Sequence, residues 1–530
     1  MAVREAVRTP RPIARAPWST TRVFLVFWAL LSALSAVWAL ATPVSGSPDE
    51  PAHIVRAASV VRGELVGTPS RDGHVVTVPR YIADTQRETC FAFHPRVTAN
   101  CPFHDDRDPA GLTTGTTTAG LYNPLYYYAV GWPSLLFGTD AGIYAMRIVS
   151  GILSSLFAAL ALLVLWRRNA SPFLVLGFAI AVTPLVLFLD ASVNPNGLEA
   201  TATLAVFAGV LSIVRAPAGA PIGRAAAVVA VSGFIAVNAR GLSPLWVLLA
   251  LALPLVLLNG RSFLALLRRR AVWITAAVIV LGTVAAAGWT LGSNSLLNAV
   301  DNPDSTPQHF AGVGVNPLSG FFITLERTVE YAHGVIGLFG WLDTPAPPEV
   351  FFVWTALIGS LLLAAFALLR SRRLLLAGLL LGCFVLLPPI IQGVYITGGG
   401  VIWQGRYNLP LFLCLIVGFA VLLGERVVFS ARATAWRRLA WIVVVAIAAG
   451  QFYAFENTLR RYAVGDGGSL KAFLLGTSPW APPGGVLLLL LLFAALAAGG
   501  AWLALGSVLR ARSLPETVDD TPQAVVAPEA

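Results

Sequence analysis

Runs of about 20 apolar residues recur along this chain from near residue 23 to near residue 508, and a helix of that length crosses the hydrocarbon of a bilayer. Within lipid every backbone N–H and C=O must be paired inside the chain, so such runs fold as helices or not at all. We expect an all-α polytopic membrane protein with about 12 transmembrane helices. The spans fall at 23–41, 146–165, 172–190, 197–214, 225–238, 243–259, 271–290, 350–369, 374–393, 407–424, 438–455 and 485–508. Composition agrees, with 57% hydrophobic and 12% charged residues.

The arginines set the orientation. The basic N-terminus, Arg167 with Arg168, Arg215 with Arg224, Arg268 to Arg270, Arg370 with Arg372 and Arg373, Arg426 with Arg437 and Arg438, and Arg510 with Arg512 all fall on one side of the membrane. Positive charge marks the cytoplasmic side, so both termini are expected inside. This reading gives a basic N-terminus (1–22), a membrane domain (23–508) and a disordered acidic tail (509–530). Large external loops cover 42–145 and 291–349, with shorter ones at 394–406 and 456–484. The first span resembles a signal sequence but is longer than the usual apolar core, and we expect it to be retained as an anchor. The net charge of +10 belongs to the membrane pattern and implies no nucleic-acid partner. Lys471 is the sole lysine, and from this arginine bias we expect a GC-rich, actinobacterial source.

The chain has few polar side chains to place, yet Pro48-Asp49-Glu50-Pro51-Ala52-His53 opens the first external loop. Two acids and an imidazole at a membrane face point to chemistry there. The bland alternative makes Asp49 the cap of a short helix with Pro51 in its first turn. Other polar residues fall on the same side: Asn194 and Asn196, Arg240, Glu326, His333, Asp343, Gln404, Arg406 and Tyr407. No charge stands out at the membrane midplane, where an ion path would need it. A carboxylate can take the proton of an attacking hydroxyl, and an arginine can grip a phosphate with two parallel hydrogen bonds. Asp49, Glu50 and His53 are thus the candidate catalytic residues. Arg406, Arg240, Gln404 and Tyr407 are candidates for a donor phosphate, and Asn194, Tyr122, His333 and Asp343 for other substrate contacts.

Each has a plainer role open to it. Arg406 could snorkel to headgroups, Asn194 could cap the next helix, His333 could pack in the interface and Asp343 could close a turn. Cys90 and Cys101 share the first loop, and a disulfide fits an external location; Cys383 and Cys414 lie in apolar spans. His53, His74, His94, His104 and Asp105-Asp106 lack metal-site spacing, so zinc is not expected. Nucleotide-binding fingerprints and a nucleophile elbow are absent. Two segments, from Tyr122 to Gly138 and from Phe321 to Trp341, read as interfacial helices.

On these residues the chain resembles the GT-C superfamily of integral-membrane glycosyltransferases. Asp49-Glu50 matches its acidic pair after the first helix. Asn123-Pro124-Leu125-Tyr126-Tyr127 looks like its interfacial segment, and Arg147 like the arginine opening its second helix. More closely, the chain is similar to a bacterial family of polytopic membrane proteins of unknown function. The matching pieces are Ser47 to His53, Thr183-Pro184 through Asn194-Pro195-Asn196, Gly337 to Pro345, and Gln404-Gly405-Arg406-Tyr407 with Pro410. One departure is Asn196, where such proteins often carry Asp. The resemblance implies a GT-C-like fold, a polyprenyl-phosphate-linked sugar as donor, an envelope glycan or lipid as acceptor held by the external loops, and the acidic pair as catalytic centre. Some members of the superfamily hold a divalent metal (Mg or Mn) at that pair, here Asp49 and Glu50, and others do not. The competing readings are a flippase or exporter of lipid-linked sugars, a glycan polymerase or ligase using a lipid pyrophosphate, and a scaffold protein.

Overall fold

A computed structural model describes residues 19–103, 107–166, 171–293, 311–427 and 434–510. His104, Asp105, Asp106, Arg167, Arg168, Arg512 and most of both expected tails lie outside the described residues. Among the described residues, nine helices are long and apolar enough to cross a membrane, and the count reaches ten with one bent pair. The nine begin with Thr20–Ala41, Ala141–Leu165 and Pro195–Val214 and end with Thr434–Val464 and Val486–Leu509. The two shortest expected spans are the shorter apolar helices Gly223–Val237 and Ser243–Leu257.

The expected span at 172–190 is a pair of helices, Pro172–Ala181 and Pro184–Asp190, bent by 64°. The cause is local. Pro184 brings no N–H, and the Thr183 side chain accepts from the N–H of Val186 and so starts a new helix. The Thr183 hydroxyl also donates to the carbonyl of Val335, 2.7 Å away, which fixes the bend against the second large loop. Two other spans outrun their apolar stretch. Ser371–Gly399 and Thr434–Val464 continue well past 393 and 455, lifting their last turns into the loop region.

Helices Pro195–Val214 and Leu409–Leu423 form the buried centre, and Arg270–Gly292, Pro348–Leu368 and Val486–Arg510 are largely open to lipid. At one end of the bundle the first large loop folds into its own layer. It begins with helix Glu50–Val61 and continues as a three-stranded antiparallel sheet of Thr68–Ser70, Gly73–Pro79 and Leu112–Thr117. Helix Leu125–Gly131 follows, and Tyr128, Trp132, Leu135, Leu136 and Phe137 around it are exposed. That apolar rim suits a segment lying at a membrane interface. The second large loop contributes helices Pro317–Glu326 and Thr328–Gly337. Cys90 and Cys101 are joined by a disulfide, with Cα atoms 5.6 Å apart, beside buried Phe91 and Tyr462.

Beneath this layer Trp38 packs against Phe188, Phe339, Phe455 and Phe493, at ring separations between 5.1 and 6.2 Å. This aromatic cluster joins the first helix, the bent helix, the second large loop and both last spans into one floor. Offset and edge-on aromatic contacts of this kind add to the burial of their area.

Candidate active site

The chain between the first helix and Asp49 is held at almost every carbonyl. Arg147 donates to Thr42 and Pro43, the Trp341 indole to Ser45, the Tyr462 hydroxyl to Gly46, and both Asn194 and Arg406 to Pro48. Gly46 has no room for a side chain, since a Cβ there would lie 2.7 Å from the Thr42 methyl and 2.8 Å from the Pro43 oxygen. The segment is therefore a fixed platform rather than a free loop. It ends at Asp49, whose backbone is left-handed with φ 63°. Few non-glycine residues adopt that conformation, and Asp is among those that do.

This turn sends the two adjacent acids in different directions. Glu50 goes inward and is fully buried. Its oxygens accept from Arg147 Nε at 2.7 Å and Nη2 at 2.5 Å, and from the Val193 N–H at 3.0 Å. The remaining Arg147 hydrogens go to the carbonyls of Ala39, Thr42 and Pro43, so all five donors are used. Asp49 goes outward. Its side chain is 53% exposed and accepts from Arg406 Nη2 at 2.5 Å, while the Arg406 side chain is 3% exposed. Asp49 occupies the cap position of helix Glu50–Val61 but makes no capping hydrogen bond, so the plain capping role is not what its carboxylate does.

Arg406 is brought there by a backbone contact. A Cβ on Gly405 would lie 2.6 Å from the Gly334 Cα, so only two glycines let this turn press onto helix Thr328–Gly337. Tyr407 then stands between two guanidiniums, with Arg240 4.9 Å and Arg406 5.3 Å from its ring centre. Arg240 reaches back to Asn196, donating to its Oδ1, and lies 3.7 Å from Glu199. Glu199 also accepts from the Ser243 hydroxyl at 2.7 Å. His53 completes the wall. It is buried, shares a 2.7 Å hydrogen bond with the Tyr127 hydroxyl and meets Tyr122 edge-on.

The electrostatics separate these groups. Crowding by protein raises the Asp49 pKa, but the charge of Arg406, its hydrogen bond and the charge of Arg240 outweigh it, and the net shift is downward. Burial pushes His53 down to about 3, against the pull of Asp49 and with the help of Arg240 and Arg406. Near neutrality the site therefore holds a carboxylate and a neutral imidazole.

The expected residues thus divide. Asp49, His53, Tyr122, Arg240, Arg406 and Tyr407 are drawn to one cluster. Gln404 leaves its Oε1 buried without a partner. Asn194 caps helix Pro195–Val214 and braces Pro48, the plainer of its two readings. Asp343 accepts from the Trp341 N–H, the Thr344 hydroxyl and Arg461, so it closes a turn and ties it to the Thr434–Val464 helix. His333 is exposed and leans on Phe351, 4.9 Å between ring centres. Glu50 is spoken for by Arg147, a buried pair rather than a group open to substrate. The donor set does not fit a divalent cation held by both acids, because both oxygens of Glu50 are occupied and Asp49 faces Arg406. Among the described residues no group of three His, Cys, Asp or Glu side chains is arranged to hold a metal ion.

Four charged residues escaped sequence reasoning. Glu199 and Asp190 lie buried within apolar spans, and each was visible as an acid in a run that should carry none. Asn196 and Glu199 are three residues apart, the spacing that puts both on one helix face toward Arg240. Arg461 and Arg56 anchor loop carbonyls and carried no local signal. An apolar cavity of about 170 Å³ lies between the first, bent and two last helices, lined by Val23, Phe27, Phe178 and Leu496. The cavity follows the first helix from Val23 to Leu34, and the bent helix borders it with Leu187 while lining the small pocket at Arg406 with Leu185, Phe188 and Leu189.

These features define a polytopic helical membrane protein with a charged cluster at one end of its bundle. The chain belongs to the family described as predicted membrane protein (DUF2142), whose model matches residues 33–416. The expected family of polytopic membrane proteins is thus the one found. Comparison with curated proteins gives no match. Among solved structures, the chain is similar to the crystal structure of ArnT from Cupriavidus metallidurans bound to undecaprenyl phosphate. The two are 16% identical, the match covers 93% of this chain and 76% of that one, and the TM-score is 0.44, a likeness that carries no argument about chemistry.

Proposed function

We propose that this protein is a membrane glycosyltransferase that moves a sugar from a polyprenyl-phosphate donor to an envelope glycan or lipid acceptor at the outer face. The observation that carries the reading is the Asp49–Arg406 pair. It is the place in the cluster where a half-exposed carboxylate meets a buried guanidinium with a free donor, Arg406 Nε.

The pairing also gives a mechanism. The acceptor hydroxyl oxygen attacks the anomeric carbon, the carbon–oxygen bond to phosphate breaks, and the electron pair leaves with the phosphate. The hydroxyl proton goes to Asp49. A carboxylate held by Arg406 is a weak base, so the ion pair must loosen as the proton arrives. Arg406 is then free to follow the negative charge now growing on the departing phosphate, 10²-fold to 10³-fold being about what one such contact contributes. The site's net charge stays level while the charge moves from one partner of Arg406 to another. His53 and Tyr127, neutral and buried, fix the wall beside Asp49. Glu50 and Arg147 hold the platform.

The test is transfer from a synthetic short-chain polyprenyl-phosphate sugar by the full chain in proteoliposomes. Asp49→Asn at matched protein level should lose transfer by a factor of about 10² to 10⁴, the usual reach of a general base. Transfer at the wild-type rate would remove Asp49 from the chemistry.

A further inference from the structure

Asn196 is 2% exposed and sits in the first turn of the 20-residue helix Pro195–Val214. A guanidinium can only donate, so the hydrogen bond from Arg240 fixes which end of the amide is oxygen. The other end, Nδ2, carries two N–H groups and is buried with no acceptor. Arg406 Nε is a second buried donor without a partner in the same cluster. Buried donors are rarely left unmet, since each forfeits the hydrogen bonds that water would give it. Asn196 Nδ2, at the positive end of a long helix and bonded through its amide to Arg240, and Arg406 Nε, whose guanidinium shares the Tyr407 ring with Arg240, describe a place for a group that accepts and cannot donate.

Charge points the same way. Arg240 and Arg406 face Asp49 and Glu199, which balance them. An acid at 196 would give Arg240 two carboxylates and leave the cluster negative. The amide keeps the balance and adds donors instead.

We propose that Asn196 is a binding residue for the donor's phosphodiester, its Nδ2 and Arg406 Nε donating to non-bridging phosphate oxygens. This rests on the reading that the cluster takes a phosphate-linked donor, and it adds a contact and a selectivity to it. A ligand carrying a hydroxyl in place of the phosphate brings no charge for Arg406 and is held poorly.

The experiment measures binding of farnesyl phosphate, with farnesol as the uncharged control, to the full-length protein in detergent micelles. Asn196→Asp keeps the shape, removes both N–H groups and adds like charge. The expected result is at least tenfold weaker binding of farnesyl phosphate with an unchanged or raised melting temperature, because Arg240 gains a second carboxylate. Asn196→Ala should also bind more weakly. If both Asn196 variants bind within twofold of wild type while Arg406→Gln binds poorly, Asn196 is no phosphate ligand and the phosphate reading of the cluster stands. If the wild-type protein holds farnesyl phosphate no better than farnesol, or Arg406→Gln changes nothing, both fall together.

Discussion

Two polar centres stand side by side at this end of the bundle, each an acid with an arginine, and their acids are consecutive in the chain. In the Glu50–Arg147 centre both side chains are fully buried, all five guanidinium hydrogens have acceptors, and neither carboxylate oxygen is idle. In the Asp49–Arg406 centre the carboxylate is half open, the guanidinium keeps Nε unmet, and Asn196, bonded to Arg240, leaves a further donor unpaired. A closed network holds the backbone in one arrangement. An open one is a frame awaiting a ligand. The difference follows from one left-handed residue at the mouth of a helix.

The comparison breaks most readily at the closed centre. Arg147→Met leaves Glu50 buried without a counter-charge and frees the carbonyls of Ala39, Thr42 and Pro43. Removing one partner of a buried pair destabilises by about 3–5 kcal/mol. The expected outcome is loss of folded protein, seen as a collapse of the monodisperse peak in detergent. A well-folded Arg147→Met protein would show that the platform is held by packing alone.

The open centre should respond in rate before it responds in stability. Arg406→Lys keeps the charge but loses the planar fork and Nε. Transfer should fall by about 10²-fold to 10³-fold with melting little changed, since that is the scale for one donor aimed at developing charge. A large drop in melting temperature would make Arg406 a structural partner of Pro48 and Asp49.

A smaller effect, read by pH, separates two groups within the open centre. Asp49 is held below its ordinary value, so it stays ionised as the medium is acidified, and the acid limb of transfer should lie below the usual carboxylate range. His53 behaves oppositely. The unfolded chain takes a proton on it near its ordinary value of 6.5, and the folded chain takes none until about 3. The unfolded state binds more protons across that window, so stability should fall as pH drops from 6.5 toward 3. His53→Gln should flatten that part of a melting-temperature profile. An unchanged slope would place the acid sensitivity elsewhere.

Much of the bundle was legible because the membrane imposes it. Apolar length alone marked where helices run, and the sextet Pro48 to His53, Arg406 and Tyr407 stood out as polar residues where few occur. What stayed hidden is directional. The sequence of Asp49-Glu50 does not say that φ 63° turns one acid out and the next one in. The kink at Thr183-Pro184 was present as a capping residue before a proline, yet an unbroken apolar run concealed it. Glu199 was masked by the same habit, since its neighbours from Leu198 onward read as a span. Contacts such as Asp343 with Arg461 join residues over 100 positions apart, and only the folded chain brings them together.

The central claim is that adjacent acids have separate jobs, Asp49 in the reaction and Glu50 in the frame. The most direct measurement compares Asp49→Asn with Glu50→Gln in the full chain, reading melting temperature and single-turnover sugar transfer on the same preparations. The account predicts that Asp49→Asn melts like wild type and loses transfer, whereas Glu50→Gln melts much lower while its remaining folded fraction still transfers. A stable Glu50→Gln protein without transfer, beside an active Asp49→Asn protein, would contradict it.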